Sequence, residues 1–167
     1  MIKLTKFKIS LLLILLFVAL LSAFFLFQHY NSRISLSDNY CLATVTTIKS
    51  QDSAQIKITL SHKIRVLANG KGYDNINGDF LFNDKKYIIS RTINFSHRKN
   101  PSTDSYQFRI TSIHKFSADN ISDELAMKYM TFMQPDVERN TEFKSMGDGY
   151  ILISDTGGPS FICRFYR

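Results

Sequence analysis

Two cysteines, Cys41 and Cys163, are the side chains of this sequence best suited to covalent chemistry. A cysteine pair can form a structural disulfide, act as a redox couple or supply a nucleophile, and redox pairs usually have a C-x-x-C spacing. These two lie far apart in the sequence, which favours a structural disulfide if both are in an oxidising compartment. Two cysteines cannot build a structural zinc site alone, and no C-x-x-C-H motif for haem attachment occurs.

Motifs for catalysis or metal binding are absent from the sequence. It contains no nucleophile elbow, zincin helix, Walker loop or dinucleotide fingerprint. Asp119, Asp123 and Glu124 cluster around a predicted helix start, where acidic side chains complement the helix dipole, and this interpretation is favoured over a catalytic carboxylate pair. The histidines have no paired spacing and occupy separate segments, at His29, His62, His97 and His114. We therefore expect no enzymatic activity and no metal or other cofactor.

Aromatic residues and one arginine share faces of two predicted strands. In the segment Lys85–His97, period-two alternation places Tyr87, Arg91 and Phe95 on one face, and an arginine turned inward needs a partner or contact with water. The following strand continues this alternation with further aromatic residues. The candidate lining of a ligand cavity is therefore Tyr87, Arg91, Phe95, Tyr106 and Phe108. Two alternatives stay open: Arg91 exposed on a twisted strand edge, and an interior filled by side chains.

The first element along the chain is a run of apolar residues. Ile9–Phe27 contains two polar residues, Ser10 and Ser22, and no charged residue. A hydrocarbon core about 30 Å thick requires about 20 residues of helix, so the run is long enough for a transmembrane helix. The alternative is a cleaved signal peptide, whose apolar region is usually about 7–15 residues long. Leu21-Ser22-Ala23 is the best cleavage candidate, but the apolar run continues beyond it.

Basic residues beside the apolar run predict its orientation. Lys3, Lys6 and Lys8 precede it, whereas Arg33 is the one basic residue that follows it closely. Lys and Arg are retained on the cytoplasmic side, so the N-terminus is predicted to be cytoplasmic. Beyond these three lysines the chain holds 18 Lys and Arg against 14 Asp and Glu, so its net charge of +7 gives little support for an acidic partner.

The chain is therefore predicted to be a single-pass membrane protein whose outer domain, in a bacterium, lies in the periplasm. Its parts are a cytoplasmic tail (1–8), a transmembrane helix (9–27), a juxtamembrane linker (28–39) and a periplasmic β-rich domain (40–167). This topology places both cysteines in the oxidising periplasm, which favours a Cys41–Cys163 disulfide. In the chain-entropy model such a bridge stabilises the domain by up to about 5 kcal/mol.

Beyond the linker, apolar residues alternate with polar ones, as in half-buried strands. The clearest alternation is Ile56–Val66, and turns such as Asn69–Gly72 separate the strands. A change of alternation near Ser112 predicts a β-bulge. One helix is predicted from an N-cap at Asn120 to a stop at Pro135. We predict a mainly β fold with seven or eight antiparallel strands, one helix before the last three, curled into a small lipocalin-like barrel.

Several short motifs accompany this layout. They are the Lys-flanked apolar segment, Cys41-Leu42-Ala43 at the first strand, Asn69-Gly70-Lys71-Gly72 after a long strand, and the endings Gly149-Tyr150-Ile151 and Phe161-Ile162-Cys163. With these features the chain resembles the FidL-like inner-membrane proteins of enterobacteria. Such proteins look like the small ToxS-type companions of ToxR-like regulators, which have a cytoplasmic winged-helix domain, one span and a periplasmic domain.

The resemblance implies a function as an accessory protein. The chain would bind and stabilise a ToxR-like, membrane-bound winged-helix regulator and help it to sense an environmental signal, without binding nucleic acid directly. Among companion pairs of this type a joint lipocalin-like fold with a bile-salt ligand is known. The alternative function is therefore that of a periplasmic carrier or sensor of a small lipophilic ligand such as a bile salt. No ligand residue is carried over, because no motif here corresponds to one.

Overall fold

The computed structural model describes residues 14–26, 39–51, 54–103, 105–135 and 137–166. It has two compact units, Met1–Ser35 and Leu36–Arg167, which are described separately. In the first unit, residues 14–26 form a helix, α1, whose large apolar side chains are exposed. Among the described residues, no helix combines the length and the apolar character that are needed to cross a bilayer.

Much of the predicted N-terminal organisation falls outside the described residues. This part includes Lys3, Lys6 and Lys8, residues 9–13 and 27 of the predicted transmembrane helix, and residues 28–38 of the predicted linker. The division into tail, span, linker and periplasmic domain therefore stays a prediction. The choice between an uncleaved anchor and a signal peptide also stays open.

The second unit contains eight strands that form one closed antiparallel barrel in sequence order. The strands are β1 (Tyr40–Gln51), β2 (Ala54–Val66), β3 (Lys71–Phe82), β4 (Lys85–Lys99), β5 (Ser105–Lys115), β6 (Glu138–Gly147), β7 (Tyr150–Asp155) and β8 (Gly158–Tyr166). Between β5 and β6 lie the helix α2 (Asp123–Tyr129) and a short 3-10 helix (Thr131–Met133). The predicted fold class, a mainly β antiparallel barrel with a helix before its last three strands, is confirmed.

Alternation of apolar and polar side chains separates the two faces of the barrel wall. In β2, Ile56 and Leu60 are buried inside, whereas Lys57 between them is exposed. The bulge that the sequence predicted near Ser112 is confirmed, because the register of β4 and β5 shifts opposite this point. The period-two pattern therefore determined both the strands and the place where one of them is irregular.

The segment between β5 and β6, residues 116–135, packs into one end of the barrel, and we call it the plug. Its α2 has its N-cap at Ser122, whose hydroxyl accepts a hydrogen bond from Leu125 N at 3.2 Å, so the predicted cap at Asn120 is wrong. Asn120 instead accepts a hydrogen bond from Ile88 N on β4 at 2.7 Å. The plug contributes five side chains to the buried core: Ile121, Ala126, Tyr129, Met130 and Met133.

A buried ion pair joins β4 to the plug. Arg91 Nε donates to Asp119 Oδ2 at 2.8 Å, and the two side chains are 2% and 0% exposed. Arg91 Nη1 also lies 2.9 Å from Asp123 Oδ1. Arg91 is therefore not exposed on a strand edge, so that alternative is wrong, whereas its assignment to a ligand cavity stays a prediction. The partner that its burial requires comes from the plug, 28 positions further along the chain.

Asp119 is held in its charged form by its surroundings. Burial alone would raise the pKa of this carboxyl, but hydrogen bonds from Arg91 and the Ser90 backbone, together with the charges of Arg91 and Lys115, lower that pKa below its ordinary value of 3.8. The contribution of Asp119 to stability is therefore complete above pH 3.8. It is lost as the pH falls through the lower pKa of the folded state.

The barrel closes over a short junction between its first and last strands. Within the described residues, β1 pairs with β2 along its whole length but with β8 at three positions: Tyr40↔Tyr166, Cys41↔Phe165 and Leu42↔Arg164. The Cys41–Cys163 disulfide lies at this junction, with 5.6 Å between the Cα atoms, and confirms the predicted pairing. Neither cysteine is free, whereas a nucleophilic cysteine would need a free thiol.

We expect Asp119→Asn to lower the free energy of unfolding by about 3–5 kcal/mol, because it removes the buried carboxylate that pairs with the Arg91 guanidinium and leaves the largely exposed Asp123 as its acidic contact. Chemical denaturation followed by circular dichroism measures this loss. The matched control is Glu138→Gln, which removes a carboxylate from a pair whose Arg109 and Glu138 side chains are 56% and 44% exposed. That change should cost at most about 1 kcal/mol. Equal losses in the two variants would contradict a structural role for the buried pair.

The same variant tests the pH dependence of stability. The difference in Tm between the wild-type chain and Asp119→Asn should be constant above about pH 4 and should shrink as the pH falls further, because Asp119 becomes protonated. Thermal unfolding in buffers from about pH 7 to about pH 2 measures this difference. A difference that persists unchanged at the acid end would show that the charge of Asp119 is not responsible.

Removal of the disulfide should destabilise the barrel without changing its fold. We expect the double variant Cys41→Ser/Cys163→Ser to lose about 2–5 kcal/mol of unfolding free energy, because the unfolded chain regains the freedom that the bridge removes. Chemical denaturation measures the loss, and the wild-type chain under reducing conditions is the control that should match the variant. Unchanged stability, with the same mobility on a non-reducing gel, would contradict the bridge.

Candidate functional site

The interior of the barrel contains a cavity of about 360 Å³. Its wall is largely apolar and includes Ile58 and Leu60 from β2, Ile93 and Phe95 from β4, and Phe108 and Ile110 from β5. The plug supplies Tyr129, Met130, Thr131 and Phe132 as one side of the same space. A volume of this size is within the range of small-molecule pockets, about 300–1,000 Å³.

The five predicted cavity residues are distributed over three environments. Phe95 and Phe108 lie on the cavity wall, with their ring centroids 5.1 Å apart. Tyr106 packs on the Phe108 ring but does not line the cavity, and Tyr87 packs against the buried core. Arg91 belongs to the ion pair with the plug. Alternation identified the inward face, but it does not distinguish residues beside empty space from residues that fill it.

A histidine–aspartate pair on the cavity wall was not singled out from the sequence. His62 Nδ1 lies 2.8 Å from Asp74 Oδ2, and the His62 ring stacks on Phe161 with centroids 5.3 Å apart. Phe132 of the plug meets the same ring at 5.7 Å. His62 shares the alternating face of the buried β2 residues, which is the signal that could have identified it. Among the described residues, no group of three or more His, Cys, Asp or Glu side chains could hold a metal ion.

Two polar atoms of the cavity wall lack hydrogen-bond partners. Asp74 Oδ1 and Arg139 Nε are buried, and neither has a partner in the part of the chain that the structure describes. Both residues line the cavity. A buried polar atom without a partner costs about 1–3 kcal/mol. Asp74 and Arg139 therefore add polar side chains to a wall that is otherwise largely apolar.

Beyond Leu42 and Arg164 the two strands that close the barrel, β1 and β8, have no further register pairs with each other among the described residues. Ala43–Gln51 of β1 and Gly158–Cys163 of β8 each pair with one neighbour, and no described strand pairs with their facing edges. We call this unpaired stretch the seam. Thr47 and Lys49 from β1 and Phe161 from β8 also line the cavity, so the cavity extends to the seam. The seam presents backbone N–H and C=O groups beside an apolar interior.

The two edges of the seam differ in how well they could accept another strand. Proline and charged residues commonly protect a sheet edge from additional strands. β8 has Pro159, which lacks a backbone N–H, near its start. From Ala43 to Ile48, β1 contains neither proline nor a charged residue, and Ile48 is 74% exposed. The β1 edge is therefore the better acceptor.

Comparison with known proteins gives one family match. The family described as "FidL-like putative membrane protein" matches residues 78–163, which is more than half of the chain. The matched region runs from within β3 to Cys163 and contains the Arg91–Asp119 pair and the plug, whereas β1 and β2 precede it. No curated protein matches this sequence. The chain belongs to the FidL-like family.

Proposed function

We propose that this chain is an accessory protein of the bacterial inner membrane that binds and stabilises a ToxR-like transmembrane transcription regulator. In this proposal residues 9–27 form the single membrane span, the N-terminus is cytoplasmic and the barrel is periplasmic. The family description, the apolar run and the lysines before it support the membrane location. The disulfide agrees with an oxidising compartment.

The observation that carries the proposal is the open β1 edge of the seam. Ala43–Ile48 offers unpaired backbone groups without proline or charge, and an extended segment of a partner can add to such an edge as a further strand. Backbone hydrogen bonds would supply affinity, and side chains of the added strand would reach the cavity through the seam. Binding of this kind stabilises a partner because its folded, strand-forming state is the one that is bound.

The barrel acts here as a binding module and not as an enzyme. Its buried charges, Arg91 and Asp119, pair with each other and join β4 to the plug. The His62–Asp74 pair has two aromatic rings as neighbours, Phe132 and Phe161.

The cavity favours a second function, that of carrier or sensor of a small lipophilic ligand such as a bile salt. Its volume of about 360 Å³ and its apolar wall would hold a rigid apolar body. Asp74 Oδ1 and Arg139 Nε could pair with polar groups of such a ligand. The two functions are compatible, because the cavity extends to the seam at which a partner would bind.

Site-specific photocrosslinking in cells tests regulator binding. A photoreactive residue at Thr46 or Ile48, on β1 beside the seam, should give a crosslinked product with a membrane regulator that carries a winged-helix domain. The control position is Ser112, which is exposed on β5 on another part of the wall. No regulator in the Thr46 and Ile48 products, or equal crosslinking from Ser112, would contradict binding at the seam.

A pair of adjacent substitutions tests ligand binding in the cavity. Thr47→Phe adds a ring on the cavity side of β1. It should weaken bile-salt binding by about tenfold or more, because the ring and the ligand would compete for the same space and overpacking typically costs about 1–3 kcal/mol. Thr46→Phe places the same ring on the outer face and should have no effect. Isothermal titration of the full chain with a bile salt measures both affinities. Equal affinities in the two variants, or no binding by wild type, would contradict the carrier function.

A further inference from the structure

Three tyrosines lie at the end of the barrel where β1 and β8 meet. Tyr40 begins β1, Tyr150 begins β7 and Tyr166 ends β8. The rings of Tyr40 and Tyr166 are stacked, with their centroids 5.3 Å apart and their planes 9° apart. Aromatic rings with a polar tip are thus concentrated at one end of the barrel. This end is also the one fixed by the disulfide.

Two cations lie over these rings. Lys63 Nζ is 5.1 Å from the centre of the Tyr40 ring, and the Arg164 guanidinium is 5.4 Å from the centre of Tyr166 and 6.0 Å from that of Tyr150. Within the described residues neither Lys63 nor Arg164 forms an ion pair with an acidic side chain. Their positive charges therefore remain available to an external anion.

An exposed apolar residue, Leu42, lies between the two cations on neighbouring strands. Leu42 is opposite Lys63 on β2 and opposite Arg164 on β8, and its side chain is 37% exposed. We call the six residues Tyr40, Leu42, Lys63, Tyr150, Arg164 and Tyr166 the aromatic–cationic patch. None of its positions is acidic, although Asp148 lies in the neighbouring β6–β7 turn.

We propose that the aromatic–cationic patch docks the barrel on an anionic lipid surface. Tyrosine rings and basic side chains with apolar stems are enriched where proteins meet the headgroup region, because each has an apolar part and a polar end. Unpaired Lys63 and Arg164 complement lipid phosphates. The patch contains an exposed aliphatic side chain and stacked rings, which suits contact with headgroups.

The position of the patch in the sequence also favours an anionic lipid surface as its binding partner. Tyr40 directly follows the predicted linker, residues 28–39, which can reach at most roughly 40 Å when fully extended. The inference therefore rests on the proposed membrane anchoring of residues 9–27. A barrel docked through its closed end would leave the β1 edge of the seam, beyond Leu42, free for a partner strand.

The absence of tryptophan from the sequence allows a direct test in the full chain. Tyr166→Trp places a fluorescent reporter in the patch, and Phe116→Trp places one on an exposed plug residue. Each variant is reconstituted into vesicles of phosphatidylethanolamine and phosphatidylglycerol that contain a brominated phospholipid as a quencher. Emission from the Tyr166→Trp variant should be strongly quenched, whereas emission from the Phe116→Trp variant should be close to that in vesicles without bromine.

Charge variants in the Tyr166→Trp chain test the role of the cations. Lys63→Gln/Arg164→Gln should lower the ratio of docked to undocked barrel by roughly 25-fold, because each basic side chain near an anionic surface favours binding by about fivefold. Lys57→Gln/Lys128→Gln removes the same charge from exposed positions outside the patch and should leave quenching unchanged. Replacing phosphatidylglycerol by phosphatidylcholine should reduce quenching in the wild-type charge background.

The outcomes separate this inference from the proposed function. Equal quenching of the two reporters, no quenching of the patch reporter, or quenching that ignores both the patch charges and the anionic lipid would overturn lipid docking. A patch reporter that is shielded by a co-purified protein in the absence of lipid would assign the patch to a protein partner and overturn it as well. Quenching of the patch reporter together with no regulator crosslinked at the seam would support lipid docking while contradicting regulator binding.

Discussion

The junction between β1 and β8 is the constraint on which the rest of the barrel depends. Three register pairs and the Cys41–Cys163 disulfide are the described backbone and covalent connections between the first and last strands. Without them the eight strands would be an open curled sheet with two long edges. With them the sheet encloses a cavity, but the short junction leaves the remainder of β1 unpaired on one side. The short β1–β8 junction therefore both closes the barrel and leaves an unpaired edge on β1.

The opposite end of the barrel depends on a different interaction. There the plug supplies apolar side chains to the core and one buried carboxylate, Asp119, to Arg91. A lone buried arginine would be strongly unfavourable, so the ion pair specifies where the plug must lie as well as joining it to β4. The plug in turn forms one side of the cavity. The size and shape of the cavity thus depend on the Arg91–Asp119 salt bridge, which positions the plug. The seam depends on the Cys41–Cys163 disulfide at the other end of the barrel.

The sequence predicted the features that are encoded locally and missed those that depend on tertiary pairing. Period-two alternation is a local property of each strand, so the barrel and the bulge near Ser112 could be predicted. The disulfide could be predicted because the chain has two cysteines in what we expect to be an oxidising compartment. The Arg91–Asp119 pair could not, since its partners belong to separate elements and nothing in the spacing connects them. The seam likewise depends on how many residues of β1 and β8 pair, which no local pattern records.

The proposed function rests on three of these features: an end closed by a disulfide, an unpaired edge beside it and an apolar interior behind that edge. Amide hydrogen exchange of the full chain, resolved residue by residue, tests the central element of this account most directly. Along Ala43–Ile48, amides that point to β2 should exchange slowly and those that point into the seam should exchange rapidly, whereas all amides within β3 should be slow. Uniform protection of Ala43–Ile48 would contradict the account, because the barrel would then have no edge to offer a partner.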